Sequence, residues 1–259
     1  MLTRTLREWQ PRLVSLAALG LAVCWNMSPL AASYAHARGD PAAHRAYWAP
    51  AIRYLHRHLT PSYRVEVVDT TGHWGAVYLP RAGIPLARGW FRQDDFPQNR
   101  ILYSRLGPEA YLGWLRRLGV RFVVLTRAPS DYSARGEARL LRSGRSGLRP
   151  VLLTPRLTVF EVPRPQRIVT GPTVGAASVL ELTQTRVALQ LREPGRYRVA
   201  LRYSPYWRPS SGCVSKRDDG MIELVVPRGG LVRLRVDVDA GSALHELAGR
   251  RSIVCAPEL

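Results

Sequence analysis

The stretch "ARGWFRQDDFPQNRILY", Ala87 to Tyr103, sets Trp90, Phe91 and Phe96 beside Arg88, Arg92, Asp94, Asp95 and Asn99. No helical or strand period organises these residues, so the segment reads as irregular chain rich in groups that do chemistry. Sugar recognition uses such a mixture, because sugar rings offer apolar faces to aromatics and hydroxyls to Asp, Asn and Arg. The candidate ligand contacts are His73, Trp74, Trp90, Arg92, Gln93, Asp94, Asp95 and Asn99. A hard cation is the second chemistry, since Asp94 and Asp95 supply oxygens. Adjacent acids flanked by Arg88 and Arg92 are better accounted for as ion pairs, so no metal ligand is assigned. Glycoside hydrolysis needs two carboxylates facing each other across the scissile bond, which sequence neighbours rarely do. In the competing structural reading, Trp74 and Trp90 plug a core and the polar residues fasten the loop.

Elsewhere the chain carries no Gly-rich phosphate loop, no G-x-S-x-G elbow and no Cys or His cluster at zinc spacing. No catalytic residue and no cofactor is therefore assigned. His56 and His58 lie two apart on an expected helix, do not share a face, and read as surface residues. "YSPYW", Tyr203 to Trp207, reads either as an aromatic platform or as a cover over the end of a sandwich beside Cys213.

The elements that must position these groups fall into three parts. Arg4, Arg7 and Arg12 precede a stretch without acidic or basic charge from Leu13 until Arg38. Leu13 to Trp25 has the length of a signal-peptide core, and the extension to Ala32 approaches the roughly 20 residues that span a bilayer. Positive charge before the segment keeps the N-terminus cytoplasmic and the remainder outside. An uncleaved anchor over 1–40 is the favoured expectation, placing the chain single-pass in the cell membrane; secretion after cleavage between Ala37 and Arg38 is the alternative.

"AAHRAYWAPAIRYLHRHL" predicts a helix, and "YRVEVVDT" a strand. Residues 71–99 predict a long loop, a length that is usually functional inside a compact domain. "GPEAYLGWLRRLG" predicts a helix stopped at Gly119, "VRFVVLT" a buried strand, "SARGEARLLRSG" a helix, and "RPVLLTPRLTVFEV" a hairpin turning at Thr154 to Arg156. Together they predict a small α/β domain over 41–165. Pro163, Pro165, Gly171 and Pro172 punctuate a linker. Beyond it the period becomes two, as in Val187, Leu189 and Leu191 or Val232, Leu234 and Val236, and 166–259 predicts an antiparallel β-sandwich. The expected class is α+β.

The formal charge of +19 invites a nucleic-acid reading, but Lys216 is the only lysine. The arginines form no basic tail, recognition helix or RNA-binding signature, so no nucleic acid is expected and an anionic envelope surface fits better. Cys24 falls in the apolar segment, leaving Cys213 and Cys255 as a candidate disulfide for an oxidising compartment.

The run "YRVEVVDTTGHW", "PLARGWFRQDDFPQNRILY", "YLGWLRRLGVRFVVL", "DYSARGEARLL", and later "YSPYW" with "GCV", resembles the C-terminal extracytoplasmic region of actinobacterial multi-spanning integral membrane proteins. Those are described as uncharacterised membrane proteins or as glycosyltransferases of the lipid-linked-sugar type. The resemblance covers nearly everything after residue 45. It implies an envelope protein that binds an envelope glycan or lipid-linked sugar, accessory to a multi-spanning membrane partner. In the family the catalytic acid belongs to an early loop between membrane helices, which has no counterpart here, so no catalytic residue carries over. A fragment or subunit of such a glycosyltransferase, and a structural envelope protein without ligand, are the alternatives.

Overall fold

The computed structural model describes residues 2–89, 96, 98–183, 185–238 and 255. Helix α1, Leu2–Gly39, contains a 27-residue stretch, Leu13–Gly39, within which an 18-residue window has mean hydropathy 1.6 and is not buried against the rest of the chain. By length and composition this helix is able to cross a bilayer. Leu19, Leu21, Trp25 and Leu30 all lie exposed on it, as does the free Cys24. The architecture is α+β: an apolar N-terminal helix, a mixed helix and sheet region, and antiparallel sheets.

A short 3-10 turn at Pro41–Ala43, capped by the Asp40 carboxylate, leads into α2, Arg45–His58. Pro50 does not break α2; it removes one amide donor and leaves the Ala46 carbonyl to the Arg156 guanidinium at 3.5 Å. Strand β1, Arg64–Val67, pairs in parallel with β2, Val120–Thr126. The hairpin of β3, Arg149–Leu153, and β4, Leu157–Glu161, completes a sheet of order β1-β2-β4-β3, with Thr154 binding the turn as expected. Residues 71–99 are not one long loop. They contain α3, Gly75–Arg81, and a parallel bridge from Leu86 to Val65. Helix α3 lies close on β1: a Cβ at Gly75 would fall 2.7 Å from the Val67 side chain and 3.1 Å from Trp48.

Two more helices, α4 (Pro108–Arg117) and α5 (Arg135–Arg142), follow the sequence signals. The sheet divides two cores. Val65, Val67, Phe122 and Val159 pack with Trp48 and Leu55 of α2; Val123, Leu125 and Phe160 pack with Tyr111, Trp114 and Leu115 of α4 and Leu141 of α5. All four residues of β1 are buried, because helices cover both faces of a parallel pair.

The second region comprises β5 (Val169–Thr170), β6 (Ala177–Leu182), β7 (Arg186–Leu191), β8 (Gly195–Arg202), β9 (Trp207–Pro209), β10 (Cys213–Lys216), β11 (Met221–Val226) and β12 (Gly230–Val236). These form two four-stranded sheets, β10-β11-β8-β5 and β6-β7-β12-β9. Inward residues of both sheets, including Leu189, Tyr197, Leu224 and Leu234, make one core, as a sandwich requires. Trp207 belongs to that core at 7% exposure, and its indole donates to the Arg202 carbonyl at 3.2 Å. Cys213 and Cys255 are joined by a disulfide with Cα atoms 5.3 Å apart.

The segment that reads as a linker is fastened to both regions. The Ile168 amide donates to the Ser62 carbonyl at 2.9 Å, and the Ile168 carbonyl accepts from Ala200 at 2.7 Å. Gly119, with φ +69°, ends the turn after α4, and a Cβ there would meet the Ile168 side chain at 2.8 Å and its backbone at 3.1 Å. Gly119→Ala therefore adds left-handed strain to a clash across the seam, and is expected to lower stability by more than about 1 kcal/mol, read by urea denaturation.

Candidate functional site

Two polar assemblies and one cleft gather at β1. The first assembly lies between β1, α4 and α5. The Arg88 guanidinium donates to Glu66 Oε1 at 2.7 Å and to Glu137 Oε2 at 3.3 Å, while the Tyr111 hydroxyl donates to Glu137 Oε1 at 2.5 Å. Glu66 and Glu137 are fully buried. Burial, and then the negative Glu137 and Glu66, push the Tyr111 phenol well above its ordinary value. Tyr111 is thus a donor that stays protonated and neutral. Both carboxylates are held by Arg88, Glu137 also by Tyr111, while Glu66 Oε2 is buried without a hydrogen-bond partner among the described residues; together they form a fastening for Arg88.

Asn99 serves the same end. It is 6% exposed, and its side-chain oxygen accepts from the Trp114 indole at 3.0 Å. The structure places Asn99 in the core against Trp114, where it holds one end of the stretch that Arg88 holds at the other. Trp90, Arg92, Gln93, Asp94 and Asp95, the candidates between these pins, lie outside the described residues.

The second assembly follows β1. The Asp69 carboxylate meets His73 Nδ1 at 2.7 Å, and His73 holds a left-handed backbone with φ +55°. Burial raises the Asp69 pKa, and the charge and hydrogen bond of His73 oppose the rise. Trp74 is half-buried, tilted against Tyr78 with ring centroids 6.2 Å apart. Its place is the flank of the α2 core, as in the structural reading. His56 and His58 are exposed on α2, His56 against the Ala82 carbonyl at 2.7 Å.

The cleft opens where α3 and its following turn face the strand ends of the sandwich. Its volume is about 920 Å³. Ile84, Leu86, Leu182 and Leu201 give it apolar wall; Arg64, Arg81, Arg88 and Arg186 give it cations, and no acidic residue lines it among the described residues. Ala87, Arg88 and Gly89 form part of the lining. Neither His73, Trp74 nor Asn99 lines it. Among the described residues no group of three or more His, Cys, Asp or Glu is arranged to hold a metal ion.

Arg64, Arg81 and Arg186 were not marked by the sequence, since each is one of many arginines spread along the chain. One signal was present. Arg64 and Glu66 occupy the same face of a strand otherwise made of Val, and in a parallel pair covered on both faces such charges are buried and must be partnered.

Asp69 gives a pH prediction. A carboxyl whose folded pKa is raised binds its proton more tightly in the folded chain, so its contribution to stability falls as pH rises from the unfolded value through the folded one. His73→Asn keeps a residue tolerant of the left-handed backbone but removes the opposing cation. It is expected to move the Asp69 titration further up, read by carboxyl-carbon NMR. Comparison of the chain with models of protein families, with curated proteins and with solved structures finds no match.

Proposed function

We propose that the chain is a membrane-anchored extracytoplasmic module that binds an envelope glycan or a lipid-linked sugar in the cleft between its two folded regions, accessory to a multi-spanning membrane partner. The observation that carries this reading is the cleft itself: about 920 Å³, walled by Leu and Ile, rimmed by arginines, and lined as far as Gly89, after which the sequence continues with Trp90, Asp94 and Asp95. Binding pockets are commonly of this size and combine apolar wall with a few convergent polar groups. Guanidiniums donate in a planar fork that suits vicinal hydroxyls as well as acidic substituents. Helix α1, with its long apolar stretch, supplies the attachment that would keep such a module at the envelope, and the charge before it favours an outward-facing remainder.

A structural role without ligand draws its support from Arg88 and Asn99, which pin both ends of the same segment in the core. The two readings differ in what a titration shows. The full chain in detergent or nanodiscs is expected to change its tryptophan fluorescence saturably with at least one member of a panel of cell-wall saccharides and lipid-linked sugars. Thr185→Glu, which places an acid at an exposed position in the lining of the cleft, is expected to weaken that response at least tenfold while leaving the thermal transition within a few degrees. A folded chain that responds to no member of the panel would sink the glycan reading in favour of the structural one.

A further inference from the structure

We propose that the cleft contains an oxyanion site built on Arg64, so that the group it takes carries a phosphoryl or a carboxylate. This deepens the glycan reading and rests on the cleft being the ligand site.

Arg64 is 7% exposed and, with Ile84, is one of two buried residues in the cleft lining. Its Nε and Nη2 donate to the Leu118 carbonyl at 3.0 and 2.6 Å, and Nη2 also donates to the Ala200 carbonyl. These bonds use the Nε proton and both Nη2 protons. Nη1 has no hydrogen-bond partner among the described residues. The partners Arg64 does have are neutral carbonyls, whereas a buried guanidinium is ordinarily paired with a carboxylate. The nearest acid in sequence, Glu66, is already held by Arg88 at 2.7 Å. The fork is therefore fixed in place by backbone from both regions while part of its donor capacity remains unspent. That is the arrangement that recognises an oxyanion at low ordering cost.

The surroundings have the matching sign. Burial, followed by the neighbouring Arg202, pushes the Arg64 guanidinium down to about 10; the Glu66 charge opposes that fall and Arg198 adds to it. Arg81 and Arg186 line the same cleft from opposite sides, one on α3 and one on β7. Among the described residues Arg186 meets an exposed acid, Glu181, at 3.8 Å, and such contacts hold a side chain weakly. Both arginines are exposed and free to close on a bound anion. Arg88 is matched by Glu66 and Glu137 and so adds little to the field, which leaves Arg64 and Arg81, with Arg186 only weakly held, as the cations that concentrate an anion in the cleft.

The test uses the full chain in detergent, titrated calorimetrically at fixed ionic strength with inorganic diphosphate, with glucuronate and with neutral glucose. At least one anion is expected to bind saturably and more tightly than glucose. Preference for diphosphate identifies a phosphoryl source, and preference for glucuronate a carboxylate source. Arg81→Gln and Arg186→Gln, both at exposed positions that the fold does not depend on, are each expected to weaken the anion about three- to tenfold. Arg145→Gln, outside the cleft, controls for the general positive charge and is expected to change nothing. Absence of saturable binding by either anion, or binding indifferent to both cleft variants, would overturn the oxyanion site. Neutral saccharides that titrate the cleft while neither anion does would overturn it too and leave the glycan reading standing. Anion binding lost in the two cleft variants, without any saccharide response, would overturn the glycan reading alone.

Discussion

The Arg64 guanidinium is the point on which the two folded regions depend. It sits at the first residue of β1 and ties the carbonyl after α4 to the carbonyl of Ala200 in β8. The Arg64 amide donates to Gly119 at 2.8 Å, and Gly119 in turn leaves no room for a side chain against Ile168. Strand, helix end, joining segment and sandwich therefore meet within one set of backbone bonds. Peripheral arginines extend it: Arg116 donates to the Pro163 carbonyl at 2.8 Å, Arg198 to the Arg117 carbonyl at 2.9 Å and Arg202 to the Gln98 carbonyl at 2.9 Å. A repeated pattern of guanidinium to carbonyl holds the seam, and Arg198 is itself oriented by the Asp219 carboxylate at 2.8 Å. That use of arginine also accounts for part of the positive charge that composition alone left ambiguous.

The buried carboxylates have a different task. Glu66 and Glu137 lie in the core between the sheet and its second helical layer, where an unpaired charge would be costly, and Arg88 and Tyr111 meet them there. This makes the departure point of the aromatic and acidic segment rigid. The cleft begins at the same residues, so a stable base stands beneath whatever the rim contacts. Rigid support beneath a polar rim is what positions binding groups to within a fraction of an ångström.

Elements with strong local signals were legible in the sequence. The stripe of Tyr111, Leu112 and Leu115 with Gly119 after it gave α4, and alternating Val and Leu gave β7, β8 and β12. The hairpin turn at Thr154 to Arg156 followed from local chemistry as well. Helix α3 was missed because "GAVYLPR" is seven residues long with Pro80 near its end; its formation depends on the close fit of Gly75 to Val67 and Trp48 rather than on propensity. That Asn99 faces the buried Trp114 indole was not legible, because residue type alone does not distinguish a polar group facing a cleft from one facing an indole.

By itself the sequence determined the apolar N-terminal helix, the α+β class, the change of period near residue 166 and the pair of cysteines left for a disulfide. Each is written in local composition, spacing or count. Only the tertiary structure decided that Arg64, Arg81 and Arg186 share one cleft, that Arg88 is matched by two buried carboxylates, and that the joining segment is stitched to both regions. These depend on contacts between residues as far apart as 64 and 200, and no local pattern specifies which of many similar arginines will meet.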